Sequence, residues 1–250
     1  MIFCNRDGTH GCVKILYPSR KVVFDAPFIF VDIGLSKAMG DGVDIVDYMD
    51  YVFFVARSNP NARVLAVIPD DWGNPPRNIW LATEFYIKLR RRRRQIPKNL
   101  TLFIVVHGGL ISTYWMQYKI LYFNYNGIVT TGFAVPSRKM DLGDVAIECG
   151  RKPLQCSQSI RAFIARARQE LGDNVPMHLL GAGKRVLTAL GNDLRHVHSF
   201  DSDGYRLAPD DETRRKCLGD RKFMIDENRC NPKMWAQTWL GDIAKYVGNT

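Results

Sequence analysis

The sequence has no run of 18 or more apolar residues, which excludes a conventional helical membrane span. Its opening residues, MIFCNRDGTHGC, lack a basic segment leading into an apolar one, so no secretory signal is expected. No Cys-x-x-Cys occurs among the cysteines at positions 4, 12, 149, 156, 217 and 230. That spacing carries neither a metal signature nor a disulfide framework, and a reducing, cytosolic setting is the simplest expectation. The glycine-bearing stretch HLLGAGKRVLTAL lacks the G-x-x-x-x-G-K-[ST] spacing of a P-loop and is too short for G-x-G-x-x-G. Repeats, linkers and low-complexity tracts are absent apart from one arginine run, so residues 1–250 read as a single domain. Acidic residues are in deficit: 25 Asp and Glu against 35 Lys and Arg leave a net charge of +10. That balance argues for a polyanionic partner, nucleic acid first, with a merely basic soluble enzyme as the plain alternative.

What is present is a core and an alternation. At 46% hydrophobic and 24% charged, the composition is that of an ordinary globular protein. From residue 28, apolar strands and amphipathic helices alternate: FIFVDIG, IVDYMDYVFFVARSN, RVLAVIPDD, NIWLATEFYIKLRRRRRQ, LTLFIVVHGG, STYWMQYKILYF, GIVTTGFAVP, QSIRAFIARARQEL, VPMHLLGAG, RVLTALGNDL and HVHSFDSD. In QSIRAFIARARQEL the apolar Ile160, Phe163, Ile164, Ala167 and Leu171 follow helical spacing. Near-continuous apolar strands alternating with helices predict a parallel sheet covered on both faces. Six strands are visible, and IFCN and CVKILYP are shorter candidates that would complete eight. Eight closes a TIM-type (β/α)8 barrel; an open doubly wound sheet is the competing α/β architecture.

In such a barrel, working residues sit at the C-terminal ends of strands. Those ends carry Asp32; Asp70 and Asp71; His107, Gly108 and Gly109; Gly132, Ser137 and Arg138; Gly181, Gly183 and Lys184; and Asp201 and Asp203. Any single Asp after a strand can be a helix N-cap. Repetition around one rim points to an active site instead. A bare buried carboxylate is costly, so Asp201 at the end of an apolar strand needs a partner or a task.

The pair HLLGAG and, downstream, FDSDGY resembles the tRNA-guanine transglycosylase superfamily, especially its archaeal members. LFIVVHGG is similar to the family's strand ending in Val-Gln-Gly-Gly, and FVDIGLS to its Asp-Ser-Gly-Gly-Phe segment. The likeness spans roughly residues 28–210. It implies a TIM-type barrel that exchanges a guanine in a nucleic acid for a 7-deazaguanine, with no cofactor. Asp201 matches the nucleophile and Asp32 the general acid/base. Asp70 or Asp71 matches the carboxylate that reads the guanine edge, and His107 stands at the Gln position. Gly132 falls near the segment lining the base pocket, and the glycines at 108, 109, 181 and 183 complete the expected substrate contacts. The residue types suit the chemistry. A carboxylate can attack an anomeric carbon and hold a covalent sugar intermediate while a second carboxyl moves the base's proton. A base within a duplex must be unpaired or flipped out to be reached.

Departures refine the likeness. Ile33 and Leu35 replace small residues of the family, and His107 replaces Gln. Only Cys217 and Cys230 fall in the family's zinc-loop region, with no His after them, so no structural zinc is expected. No C-terminal RNA-binding domain of the archaeal type is visible either. A compact form of this kind looks more like the DNA-modifying branch of phages and genomic islands, which inserts preQ0 or a derivative into DNA. The implied partners are DNA, with tRNA as the alternative, and a 7-deazaguanine base; the implied setting is a cytoplasm, a host's if the protein is phage-encoded.

The run KLRRRRRQ ends a helix, so it points to the barrel's bottom, where a solvated face or a peripheral contact is the simpler reading. Better phosphate candidates lie at the top: Lys37, Arg138, Lys139, Lys184 and Arg185. Trp72 and Tyr205 can stack on a base or pack in the core, His198 reads as a packed histidine, and NPKMWAQTWLGDIAKYV as a closing amphipathic helix. A binding barrel without catalysis and a glycosidase-like hydrolase remain open beside the exchange reading.

Overall fold

A computed structural model describes residues 1–5, 11–33, 43–71, 73–141 and 146–202. Lys37, Trp72, Asp203, Tyr205, Cys217, Cys230 and the closing helix expected from NPKMWAQTWLGDIAKYV lie outside them.

Eight parallel strands close into a barrel in chain order, and the fold is α/β and TIM-barrel-like. The barrel strands are β1 (Ile2–Asn5), β2 (Cys12–Leu16), β3 (Phe28–Asp32), β4 (Arg63–Val67), β5 (Leu100–Val105), β6 (Thr130–Pro136), β9 (Met177–Leu180) and β10 (Ser199–Asp201). Closure comes from β1 pairing with β10, Cys4 opposite Asp201. The short segments IFCN and CVKIL supply β1 and β2, as the count to eight required. The irregular stretch after β6 holds a small antiparallel pair, β7 (Lys139–Asp141) with β8 (Ala146–Glu148), which the sequence did not announce.

Five α-helices are described: α1 (Ile45–Ser58), α2 (Pro75–Arg91), α3 (Ser112–Asn126), α4 (Pro153–Leu171) and α5 (Lys184–Leu190). Local chemistry sets where they start. Asp44 caps α1 by accepting from the backbone N–H groups of Val46 and Asp47. Asn74 caps α2, and prolines open α2 and α4, where a missing N–H costs nothing. The predicted stripe of α4 is buried at Ile160, Phe163, Ile164 and Ala167. Among the described residues no helix is long and apolar enough to cross a membrane.

The period of two along each strand splits the core into two. Cys4, Cys12, Phe30, Leu65, Val67, Phe103, Val105 and Ala134 fill the barrel interior. Val13, Ile15, Ile29, Val31, Leu179 and Phe200 face outward into the larger layer beneath the helices. The plug of apolar side chains makes the barrel solid below its upper rim, so polar groups pointing inward above it are gathered into one small space.

The cysteines correct an expectation. Cys4 is disulfide-bonded to Cys12 and Cys149 to Cys156. Sequence spacing carried no sign of this because lateral strand pairing, not a motif, sets the first pair: Cys4 and Cys12 are direct partners across β1 and β2, with Cα atoms 4.6 Å apart.

Candidate active site

Strand parity builds the site. Cys12 faces the interior, so Lys14 does too; likewise Phe30 and Asp32 on β3, His178 and Leu180 on β9, and Ser199 and Asp201 on β10. Lys14 therefore rises from the barrel wall between two carboxylates. Its ammonium lies 2.8 Å from Asp32 Oδ2 and 2.6 Å from Asp201 Oδ2. Since one nitrogen touches both oxygens, those oxygens lie no farther apart than the sum of the two distances. Asp201 and Asp32 thus share one cavity.

Asp201 is held on every side. Besides Lys14, its Oδ1 accepts from the Gly181 backbone N–H at 3.0 Å and pairs with His178 Nε2 at 3.1 Å. Its side chain is 4% exposed, that of Asp32 20%. Burial opposes the Asp201 charge, but Lys14 and the His178 hydrogen bond more than offset it, holding the carboxyl well below the usual carboxylate range. Burial alone would lower the Lys14 ammonium as well; Asp201 first, and then Asp32, keep it well above its ordinary value instead. Lys14 is therefore a fixed cation and Asp201 a fixed anion at neutral pH.

His178 is neutral. Complete burial pulls its pKa down, against the opposing pull of Asp201. That fixes its tautomer: Nε2–H donates to Asp201, and Nδ1 accepts from the Ser199 hydroxyl at 2.8 Å. Its ring stacks on Phe30, centroids 4.1 Å apart.

A second pair stands along the same rim. His107 Nε2 is 3.0 Å from Asp70 Oδ2, and both side chains are largely buried. Asp71 turns away: its backbone N–H donates to Asn78 Oδ1, and its carboxylate accepts from Asn74, the cap of α2. Of the two candidates for the base-reading carboxylate, Asp70 faces the rim and Asp71 serves the turn. Buried Tyr48 lies within electrostatic reach of both Asp32 and Asp70. Its hydroxyl donates to the Val67 carbonyl at 2.7 Å. Burial first, then Asp32 and Asp70, push its ionisation far up.

The glycines divide. Gly181 has φ +65, in the left-handed region, and this turn aims its N–H at Asp201. Gly183 caps α5 with open space around it. Gly108 and Gly109 form the turn after β5, packed against Pro75, Tyr114 and Phe163. Gly132 does not stand at the end of its strand, where the sequence put it; it is the third residue of β6. It sits low in β6 opposite Phe103, and a Cβ there would lie 2.3 Å from the Pro176 carbonyl oxygen, which precedes β9. Backbone contact between neighbouring strands near the barrel's lower end is what demands glycine at that position.

Among the phosphate candidates, Arg138 is exposed, its Cβ beside the Gly181 turn. Lys184 and Arg185 are exposed in the first turn of α5, with Arg185 reaching the Gly150 carbonyl at 3.3 Å. Lys139 opens β7, in the separate two-stranded sheet. His198 is exposed, and its Nδ1 accepts from the Met177 N–H.

Lys14 and His178 are the site residues that sequence reasoning missed. The available signal was parity: a lone Lys in CVKIL and a lone His in MHLL, each on the inward face of an apolar strand. Such groups need partners, and the strand ends supply them.

Fold and site together define a parallel α/β barrel carrying a carboxylate–ammonium–carboxylate centre at its rim. A comparison with protein-family models finds no match to this chain, and none is found among curated proteins.

Proposed function

We propose that the protein is a guanine transglycosylase with a TIM-type (β/α)8 barrel. It exchanges guanine in DNA for a 7-deazaguanine, preQ0 or a derivative, through a covalent sugar intermediate on Asp201. The observation that carries this reading is the Lys14 bridge, which fixes Asp32 and Asp201 at or within the carboxyl separation of about 5–5.5 Å typical of double-displacement glycosyl transfer.

The steps follow from the groups present. Asp201, kept anionic, attacks the sugar's anomeric carbon as the bond to the guanine nitrogen breaks. The new C–O bond consumes the carboxylate's charge, leaving Lys14 facing Asp32 alone. With Asp201 esterified, Lys14 has lost its strongest anionic partner and releases a proton through Asp32 to the departing base, turning neutral; the incoming base's proton later returns to Lys14 by the same route. The incoming base surrenders its own proton to Asp32 and attacks the same carbon, releasing Asp201. Protons and charges return to their starting places, and one base has replaced another. In this reading Asp70 and His107 read the base edge, and Arg138, Lys184 and Arg185 hold flanking phosphates.

The test is incorporation of labelled guanine or preQ0 into duplex DNA, single-stranded DNA and tRNA. The expected result is incorporation into DNA, lost in Asp201→Asn with the fold intact. Incorporation into tRNA alone selects the same chemistry on the other nucleic acid. A second reading, a nucleic-acid-binding barrel without catalysis, is favoured by one observation: three donors already saturate much of Asp201, whose side chain is nearly sealed. Nucleic-acid binding with no exchange on any substrate would select it.

A further inference from the structure

The arginine run does more than end a helix. Arg90, Arg91 and Arg93, with Tyr86 and Ile87, line a cleft of about 440 Å³ at the C-terminal end of α2. Nothing in the proposed reaction uses it.

The arginines there are of two kinds. Arg92 is structural: it is paired with Asp50, bonds Gln95 Oε1 at 3.1 Å and lies over the Phe53 ring. Arg57 braces the same turn by donating to the Gln95 carbonyl at 2.9 Å. Those contacts fasten the end of α2 to α1. Arg90, Arg91, Arg93 and Arg94 are exposed, and among the described residues their side chains have no ion-pair or hydrogen-bond partner. Four unmatched guanidiniums within five residues repel one another, and a polyanion relieves that repulsion. An aromatic and an aliphatic side chain line the cleft beside the arginines. Tyr86 is half-buried and pinned edge-on against Tyr125 at 5.3 Å, and Ile87 is exposed beside it. Guanidiniums lining a cleft together with an aromatic and an aliphatic side chain match a phosphodiester backbone with an unpaired base beside it.

We infer that this cleft is a second nucleic-acid contact, at the opposite end of the barrel from the carboxylate centre. It rests on the nucleic-acid reading above for its choice of ligand. Its reach is set by α2. That helix begins at Pro75, which packs against the Gly108 turn beside His107, and its 17 residues at 1.5 Å each make it about 25 Å long. A duplex covers that distance in about seven base pairs. The cleft therefore adds most to the binding of substrates long enough to reach both sites.

The experiment is equilibrium binding of the full chain to fluorescent DNA of increasing length, across a salt series. The variant replaces Arg90, Arg91, Arg93 and Arg94 by Gln; all four side chains are exposed, so the fold has no reason to change, and circular dichroism verifies it. The expected result is a salt dependence less steep by up to about 3.6 in slope on long DNA, with about tenfold or greater loss of affinity at physiological salt. Fragments too short to span both sites engage one at a time, so the variant loses less affinity for them than for long DNA. Equal affinity and equal slope on long DNA would overturn the inference, whatever the exchange assay shows. Cleft-dependent binding without exchange by the parent would instead remove the transglycosylase reading and leave the cleft standing.

Discussion

Replacing Lys14 by Met tests the centre at its hinge. The substitution keeps the buried stem and deletes the ammonium that touches both carboxylates. Asp201 is then left buried with only the His178 and Gly181 donors. Removing one member of a buried ion pair costs about 3–5 kcal/mol, because the other charge is stranded. The low exposure of Lys14 and Asp201, 11% and 4%, places this pair in that class rather than among surface bridges worth about 0–1 kcal/mol. The loss has a pH signature. The folded pKa of Asp201 is depressed, so its stabilisation is present above the unfolded value of about 3.9 and is lost as pH falls through the folded one. The folded pKa of Lys14 is raised, so its share is full below about 10.4 and fades as pH climbs through the folded value. Urea unfolding of parent and variant from acid to alkaline pH is the assay. The stability gap holds steady between about pH 4 and pH 10 and shrinks below about pH 4, where the unfolded carboxyl takes up its proton. Adding Asp201→Asn to the variant recovers part of the loss. A gap under about 1 kcal/mol at neutral pH, or one of constant size down to pH 2, refutes a buried charge pair.

Three further outcomes follow from the same geometry. His178→Phe retains the stack on Phe30 but deletes the Nε2–H donor, costing about 1.5–3 kcal/mol for a hydrogen bond to a charge. It also flattens the fall in stability below about pH 6.5 that a histidine buried in its neutral form imposes, as denaturation against pH reads directly. Gly132→Ala drives a Cβ into the Pro176 carbonyl and lowers Tm; were Gly132 part of a base pocket, KM would change while Tm stayed put. Changing Cys4 and Cys12 together to Ser releases a short loop and costs about 2.5 kcal/mol, and peptide mapping under non-reducing conditions finds those two thiols joined in the parent.

The alternation of apolar strands with helices was legible because each inner strand is covered on both faces, and β5, buried along its whole length, is the plainest case. The edges of that pattern were harder. IFCN and CVKIL are too short to stand as strands by periodicity, and only the count to eight made them so. Asp32, Asp70 and Asp201 could be picked out because carboxylates recur at the strand ends around one rim. Lys14 escaped because its partners lie 18 and 187 residues away in sequence, and only barrel closure brings β2 and β10 to the same space. The disulfide between Cys4 and Cys12 escaped for the same reason, being a consequence of lateral register. Gly132 was misplaced because position along a strand, top or bottom, depends on where that strand begins, and β6 starts later than its apolar run does.

The most direct measurement is peptide mass spectrometry of the protein incubated with guanine-containing DNA and quenched in denaturant before the second base is added. The prediction is a sugar-linked adduct on the peptide that carries Asp201, discharged by a 7-deazaguanine and absent from Asp201→Asn. An adduct on any other residue, or one that persists in that variant, would contradict it.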